Sequence, residues 1–327
     1  VSEALRFAAL GDSLTEGVGD PVPGGWRGWA PLLAAGLTVP GHERPARLVN
    51  LARSGARTAD AAGEQLAAAR RLRPHLAGVI VGGNDTLRSA FDLAANARDL
   101  DAVIGTLSAE GALVLTACLP DPGGVLRLPA ALTRPLARRM AALNDVVHHL
   151  SHRHGAVHVH LAGHPVAAVS EAWSVDRLHP SEFGHRLLAR EFHAALAARG
   201  LATGPPPAAV AERPPPSRSA SARWLATRGT RWLLARATDL LPGLIGLACT
   251  ETRHRLAGTV DTLDAASRAA TRAALAALGQ RPDVPGGSPD RLDRPDRLDL
   301  PDLLDRVDPV DHVGRLRAPR TDRSPAA

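Results

Sequence analysis

A serine at position 13 sits in the turn Gly11-Asp12-Ser13-Leu14-Thr15-Glu16-Gly17, directly after the apolar residues 5–10, and far downstream the chain reads Asp176-Arg177-Leu178-His179. A serine hydroxyl is a weak nucleophile at neutral pH. It becomes effective when a histidine takes its proton and a carboxylate orients the ring and stabilises the imidazolium that forms. The spacing of Asp176 and His179 lets one loop aim both side chains at one point, with Pro180 stiffening that loop. The chemistry these residue types suggest is acyl transfer, whose intermediate carries negative charge on the former carbonyl oxygen and requires preorganised hydrogen-bond donors.

Two further blocks offer such donors, Asn50-Leu51-Ala52-Arg53-Ser54-Gly55 and Gly82-Gly83-Asn84-Asp85. A glycine lets backbone N–H approach the oxygen closely, and an asparagine amide donates without adding charge. Each residue alone has a plainer reading. Gly-Asp-Ser-Leu is also a turn that caps a helix, with Asp12 orienting it through backbone hydrogen bonds. Asp85 reads as a loop stabiliser rather than a second acid, and Ser54 and Thr15 either touch substrate or simply form turns. Trp29 belongs in the core, while Trp26 stays open between pocket wall and surface.

The elements that must position these residues follow from hydrophobic pattern. Residues 5–10, 47–51, 78–81, 112–119 and 156–161 read as strands, and 29–37, 58–71, 92–109 and 135–152 as the helices between them. A closing helix is predicted over 181–199, capped by Ser181. Alternating strands and helices imply a parallel sheet covered on both faces, whose binding residues gather at the carboxyl ends of the strands. Ser13, Gly55, Asn84 and the Asp176/His179 pair each follow a strand.

These four blocks, in this order and on these strand ends, resemble the SGNH hydrolases, the GDSL lipase and acylhydrolase family, over residues 5–199. The resemblance implies a three-layer α/β/α fold with a flavodoxin-like five-stranded parallel sheet. It implies Ser13 as nucleophile, His179 as general base and Asp176 as the orienting carboxylate. The oxyanion hole would be formed by the backbone N–H groups of Ser13 and Gly55 with the Asn84 amide. The implied activity is a serine esterase or lipase acting on small-molecule or lipid esters through an acyl-enzyme, with no cofactor and no metal. The Gly-x-Ser-x-Gly elbow of α/β-hydrolases is absent. The same triad also serves an acyltransferase, and a third reading is a non-catalytic module that docks its C-terminal region on a membrane or partner.

Composition divides the chain into a catalytic domain over 1–200, a Pro-rich linker over 201–222, a helical extension over 223–279 and a disordered Pro/Asp/Arg-rich tail over 280–327. Residues 223–245 mix tryptophan, leucine and arginine, which suits either peripheral membrane contact or a helix packed on a protein surface. All 39 basic residues are arginine, so a Schiff-base lysine and a Walker lysine are excluded. The arginines alternate with acids despite a net charge of +6, and nucleic acid is not an expected partner. Two cysteines and the absence of an apolar leader at the start of the sequence point to the cytoplasm. Seven histidines crowd residues 148–164, with His148 and His152 one helical turn apart. No cysteine and few acids lie beside them in sequence, so the expectation is a solvated helix end and strand, with Cys118 buried as a small apolar residue.

Overall fold

The computed structural model describes residues 4–37, 46–165, 169–202, 204–215, 217–224, 226–227 and 240–279. Five strands form a parallel sheet: β1 (Arg6–Gly11), β2 (Arg47–Asn50), β3 (Leu76–Ile80), β4 (Leu113–Cys118) and β5 (Val157–His160). Their spatial order is β2-β1-β3-β4-β5, the flavodoxin-like arrangement in which the chain reverses direction between β1 and β3. Every ladder is parallel, with Phe7 opposite Leu48 and Leu76, Leu76 opposite Leu113, and Cys118 opposite His160. A parallel sheet is buried on both faces, and β3, read Leu-Ala-Gly-Val-Ile, is buried at every position.

Strand β3 begins two residues before the predicted start at Gly78, taking in Leu76 and Ala77, neither of them β-branched. The role of Gly78 is one of space: a Cβ there would lie 2.6 Å from the indole of Trp29. That indole is fully buried between Phe7 and Phe192, both rings tilted against it at centroid distances of 6.1 and 4.9 Å.

Helices α1 (Trp29–Gly36) and α4 (Glu182–Ala197) pack against each other, and the latter is capped by Ser181, whose Oγ accepts from Gly184 N–H at 3.3 Å. Helices α2 (Leu93–Ala109) and α3 (Ala130–Arg153) form a second packed pair. The sheet thus carries the first and last helices in one group and the middle ones in another. Helix α3 starts five residues before Pro135: Pro129 takes the N-cap position and Thr133 Oγ1 donates to Leu128 O at 2.8 Å, so an extra turn forms ahead of the proline.

The helical segment after β2 is not uniform. It runs as Thr58–Asp60, then a π turn over Ala61–Gln65, then Leu66–Leu72. Gln65, at the end of the wide turn, faces the end of β1: its Oε1 accepts from Gly11 N–H at 2.8 Å and its Nε2 donates to Gly11 O at 2.9 Å. One buried amide thereby satisfies both backbone groups of the residue two places before Ser13.

The described residues at 204–215 and 240–279 pack on the domain. Residues 204–215, read as linker, are held by Arg213 and Glu212 against Asp20, Glu182 and Arg27. Helices α5 (Leu241–Leu256) and α6 (Val260–Gly279) cover α2 and α3, with Leu278 and Ala274 in the core and Arg138 pairing with Glu251 and Asp264. The centre of the amphipathic stretch at 223–245 and the whole tail at 280–327 lie outside the described residues. No helix among the described residues is long and apolar enough to cross a membrane.

The Gln65 clamp is testable without touching the nucleophile. Gln65→Leu keeps the volume but strands the buried Gly11 N–H, at a cost of about 1–3 kcal/mol, and leaves Gly11 O only its bond from Arg53 N–H at 3.2 Å. Urea unfolding should show stability lowered by about 1–3 kcal/mol at unchanged m-value. A midpoint within error of the parent would mean that the clamp contributes nothing.

Candidate active site

The carboxyl end of β1 passes directly into a four-residue helix, Ser13–Glu16, and Ser13 is its first residue. Asp12 is the cap: its Oδ1 accepts from Leu14 N–H at 3.0 Å. This fixes Ser13 at a helix N-terminus, where its own N–H has no intrahelical acceptor and points outward. The end of β2 and the loop after it brace the turn, with Asn50 Nδ2 donating to Thr15 O at 2.8 Å and Glu16 Oε2 accepting from Ser54 N–H and Oγ–H at 2.7 and 2.5 Å.

The Asp176/His179 loop is closed by its own backbone. Trp173 pairs with Pro180 in an isolated antiparallel bridge, and Ser174 N–H donates to His179 O at 2.8 Å. Within this loop Asp176 Oδ1 accepts from Ser174 Oγ, Leu178 N–H and His179 N–H at 2.7, 2.9 and 3.0 Å. Its other oxygen, Oδ2, lies 2.7 Å from His179 Nδ1. Arg177 takes the left-handed conformation, φ 56°, that so tight a turn demands.

The two loops meet at Gly19, where φ is +102° and a Cβ would come within 2.0 Å of Pro180 O. No side chain fits between them. The buried His185 adds a second tie, its ring held neutral at about 4 by burial while Nε2–H donates to Val18 O at 3.0 Å. As a result His179 Nε2 stands 2.8 Å from Ser13 Oγ. Burial works against the Asp176 charge, but the bond to His179, the imidazole's charge and the other donors outweigh it and hold the carboxyl down at about 2. The ionised Asp176 accepts a hydrogen bond from His179 Nδ1–H, which fixes the tautomer and turns the Nε2 lone pair toward the Ser13 hydroxyl.

Gly55 lies on the adjacent loop with φ 81°, a turn that suits glycine, and its N–H makes no hydrogen bond to a described residue. Asn84 follows β3. One of its amide hydrogens goes to Ala56 O at 3.0 Å, which sets the plane of the group, and Asp12 Oδ2 is its next acceptor at 3.5 Å, too far for a strong bond. Ser13, Asp176 and His179 are therefore brought together in one hydrogen-bonded line, with Gly55 and Asn84 on the loops beside it.

Asp12 does more than form a turn, since its second oxygen faces the Asn84 loop. Burial, chiefly, raises its carboxyl to about 6; Leu14 N–H and the charge of His179 oppose the rise, and Asp85 adds to it. Asp85 is likewise raised to about 6 by burial, and it ties down Thr58 through the backbone N–H and Oγ1 at 3.2 Å each. Trp29 lies in the core, whereas Trp26 is exposed on a two-residue hairpin. Gln65, Ser174 and His185 escaped sequence reading. Each is an ordinary polar residue whose partner comes from a loop or backbone position that no local pattern reveals.

The histidine-rich segment departs from expectation. His148 does not join His152; its ring packs on His158 and His160, and Cys118 comes across from β4 to join all three.

A strand-end serine, a loop Asp-His pair and a strand-end amide thus converge at one edge of the parallel sheet. The GDSL-like lipase/acylhydrolase family model matches residues 9–187, more than half of the chain. The chain belongs to that family and is an ester-bond hydrolase. Solved structures with similar folds include a psychrotrophic esterase, EstA, from Pseudoalteromonas sp. (19% identity, 59% of this chain and 97% of that one, TM-score 0.47). A lipase/acylhydrolase from Enterococcus faecalis (20%, 60% and 96%, TM-score 0.46) and the acetylxylan esterase Axe2 from Geobacillus stearothermophilus (20%, 62% and 100%, TM-score 0.48) are comparable. No curated protein sequence matches the chain.

The raised carboxyl of Asp12 sets a pH dependence. The folded state binds that proton more tightly than the unfolded chain, whose value is near 3.8, so the resulting stability is present below about pH 4 and lost as pH rises through about 6. Asp12→Asn keeps an acceptor for Leu14 N–H without the charge. Relative to the parent it should gain stability between pH 4 and pH 7, by up to about 3 kcal/mol. Urea melts of both proteins at the two pH values measure this, and parallel pH profiles would refute it.

Proposed function

We propose that this hydrolase works through a covalent acyl-enzyme on Ser13, with His179 as general base and Asp176 as the residue that orients it. The observation that carries the reading is the unbroken line from Asp176 Oδ2 to His179 Nδ1, at 2.7 Å, and from His179 Nε2 to Ser13 Oγ, at 2.8 Å. In the first half-reaction Ser13 Oγ bonds to the ester carbonyl carbon while its proton passes to His179 Nε2. Negative charge collects on the carbonyl oxygen, which the N–H groups of Ser13 and Gly55 and the second amide hydrogen of Asn84 receive. Collapse expels the alcohol, protonated by His179. Water then takes the alcohol's place and bonds to the acyl carbon as its proton passes to His179; the Ser13 Oγ–acyl bond breaks, His179 returns the proton to Ser13 Oγ, and the carboxylic acid leaves.

The donor set, backbone N–H groups and one amide, fits a neutral acyl carbonyl, so the proposed substrates are carboxylic esters. Asp176 is held near 2, so its ionisation does not limit activity at any pH where the fold is maintained.

Ser13→Ala should lower kcat on a short p-nitrophenyl ester by at least about 10⁴-fold, with His179→Ala nearly as severe and Asp176→Asn milder. Asn84→Ala, which removes one oxyanion donor, should lower kcat by about 10²–10³-fold with little change in KM. A labelled fluorophosphonate should attach to wild type on Ser13 alone. Turnover in Ser13→Ala close to that of the parent would sink the proposal.

A further inference from the structure

We propose that Cys118, His148, His158 and His160 form a four-ligand zinc site, separate from the Ser13 centre. Their ligand atoms all lie within 4.8 Å of one another. Zn–N bonds of about 2.0 Å and a Zn–S bond of about 2.3 Å put tetrahedral ligand atoms about 3.3–3.7 Å apart, so closure needs side-chain movements of about 1 Å.

The site is assembled by register. His158 and His160 are two apart on β5 and share a face of the sheet. The β4/β5 ladder places Thr116 opposite His158 and Cys118 opposite His160, so all four project to the same side. Helix α3 covers that side and brings His148 and Ser151, one helical turn apart. The three imidazoles stand 4.6–4.8 Å apart between ring centroids, tilted or edge to face, with none stacked flat.

The hydrogen bonds around His158 dictate which nitrogen is free. Ser151 Oγ–H donates to Val147 O at 2.6 Å, so the contact between Thr116 Oγ1 and Ser151 Oγ, at 2.7 Å, takes its proton from Thr116. With that hydrogen committed, Thr116 Oγ1 can only accept from His158 Nδ1–H, at 2.9 Å. Neutral His158 then carries its lone pair on Nε2, a buried atom with no hydrogen-bond partner, as is Nε2 of His148. A metal-bound histidine is normally held this way, its other ring N–H fixed by an oxygen. On the fourth ligand, Ala162 N–H approaches Cys118 Sγ at 3.4 Å, a donor that suits a thiolate. Binding releases the thiol proton to solvent.

One thiolate with three imidazoles matches zinc in softness and number. Four protein ligands leave no open position, so the ion's role is structural: it ties β4, β5 and α3 where β5 leads into the segment that carries Asp176 and His179. Neither Ser13 nor His179 is a ligand, and the site stands or falls independently of the proposed acyl-enzyme.

The full chain, without a polyhistidine tag, is stripped with chelator, equilibrated with zinc and desalted. Elemental analysis should find about one zinc per chain in wild type, and far less in Cys118→Ala and in His160→Ala, the latter a truncation of an exposed side chain. Cobalt in place of zinc should give the intense visible bands of a tetrahedral ion and a thiolate-to-cobalt charge-transfer band that Cys118→Ala abolishes. Zinc should raise the Tm of wild type and leave that of His160→Ala unmoved. Wild type retaining no more zinc than His160→Ala, or a cobalt spectrum without the charge-transfer band, would overturn the proposal.

Discussion

One imidazole, His179, has to be shared by partners from opposite ends of the catalytic domain, and the rest of the architecture serves that requirement. Asp176 is a neighbour in its own loop, but Ser13 is 166 residues away in sequence. A parallel sheet solves this because all its strands end on one side, so the loops after β1 and β5 emerge toward the same edge. Sheet order alone brings them only to the same region. The final approach depends on Gly19, where the absence of a side chain lets one loop rest on the carbonyl of Pro180, and on His185, which pins Val18 from beneath.

Burial treats the nearby carboxylates differently, and the number of donors decides the outcome. Asp176 receives four, one of them from the imidazole whose positive charge it stabilises, and it stays ionised. Asp12 receives one strong donor, and Asp85 receives two at 3.2 Å; desolvation dominates for both. The same residue type therefore acts as a fixed charge beside the histidine and as a nearly balanced acid beneath the serine. The loop around Asp176, with its strained Arg177, exists to concentrate donors on one carboxylate.

This division explains what was legible in the sequence. Strand-ending turns and the order of four short blocks are local signals, so the sheet, its helices and the positions of Ser13, Gly55, Asn84, Asp176 and His179 could be read directly. Gln65 could not be read, because its function depends on a π turn that nothing in Ala-Ala-Gly-Glu-Gln announces. Cys118 is buried as expected, but its three histidine neighbours belong to the next strand and a helix, and only the register of β4 on β5 joins them. The alternating Val-His-Val-His of β5 was the available clue, since histidines two apart on a strand face the same way. The start of α3 is equally hidden, because Pro135 suits a first helical position yet occupies the second turn.

The Pro-rich segment after residue 200 is best understood from the charges it meets. Asp20, next to Gly19, is completely buried, and a buried carboxylate is costly unless its oxygens are filled. Arg27 Nε and Gly28 N–H supply part of what it needs, at 2.9 and 3.2 Å, and Arg213 Nη2 the rest at 2.6 Å. Glu182, also buried and at the start of α4, depends on the same segment: it accepts from Arg27, Arg186, Arg213 and the backbone N–H of Glu212. Both carboxylates lie on the two loops whose contact places Ser13 against His179. A chain ending at residue 200 would keep every residue of the proposed triad yet leave Asp20 and Glu182 short of donors. The prolines make the docking economical, because a segment already restricted in the unfolded state loses little entropy when it is laid down. What composition suggests is a spacer; electrostatics makes it a strap across the base of the catalytic loops.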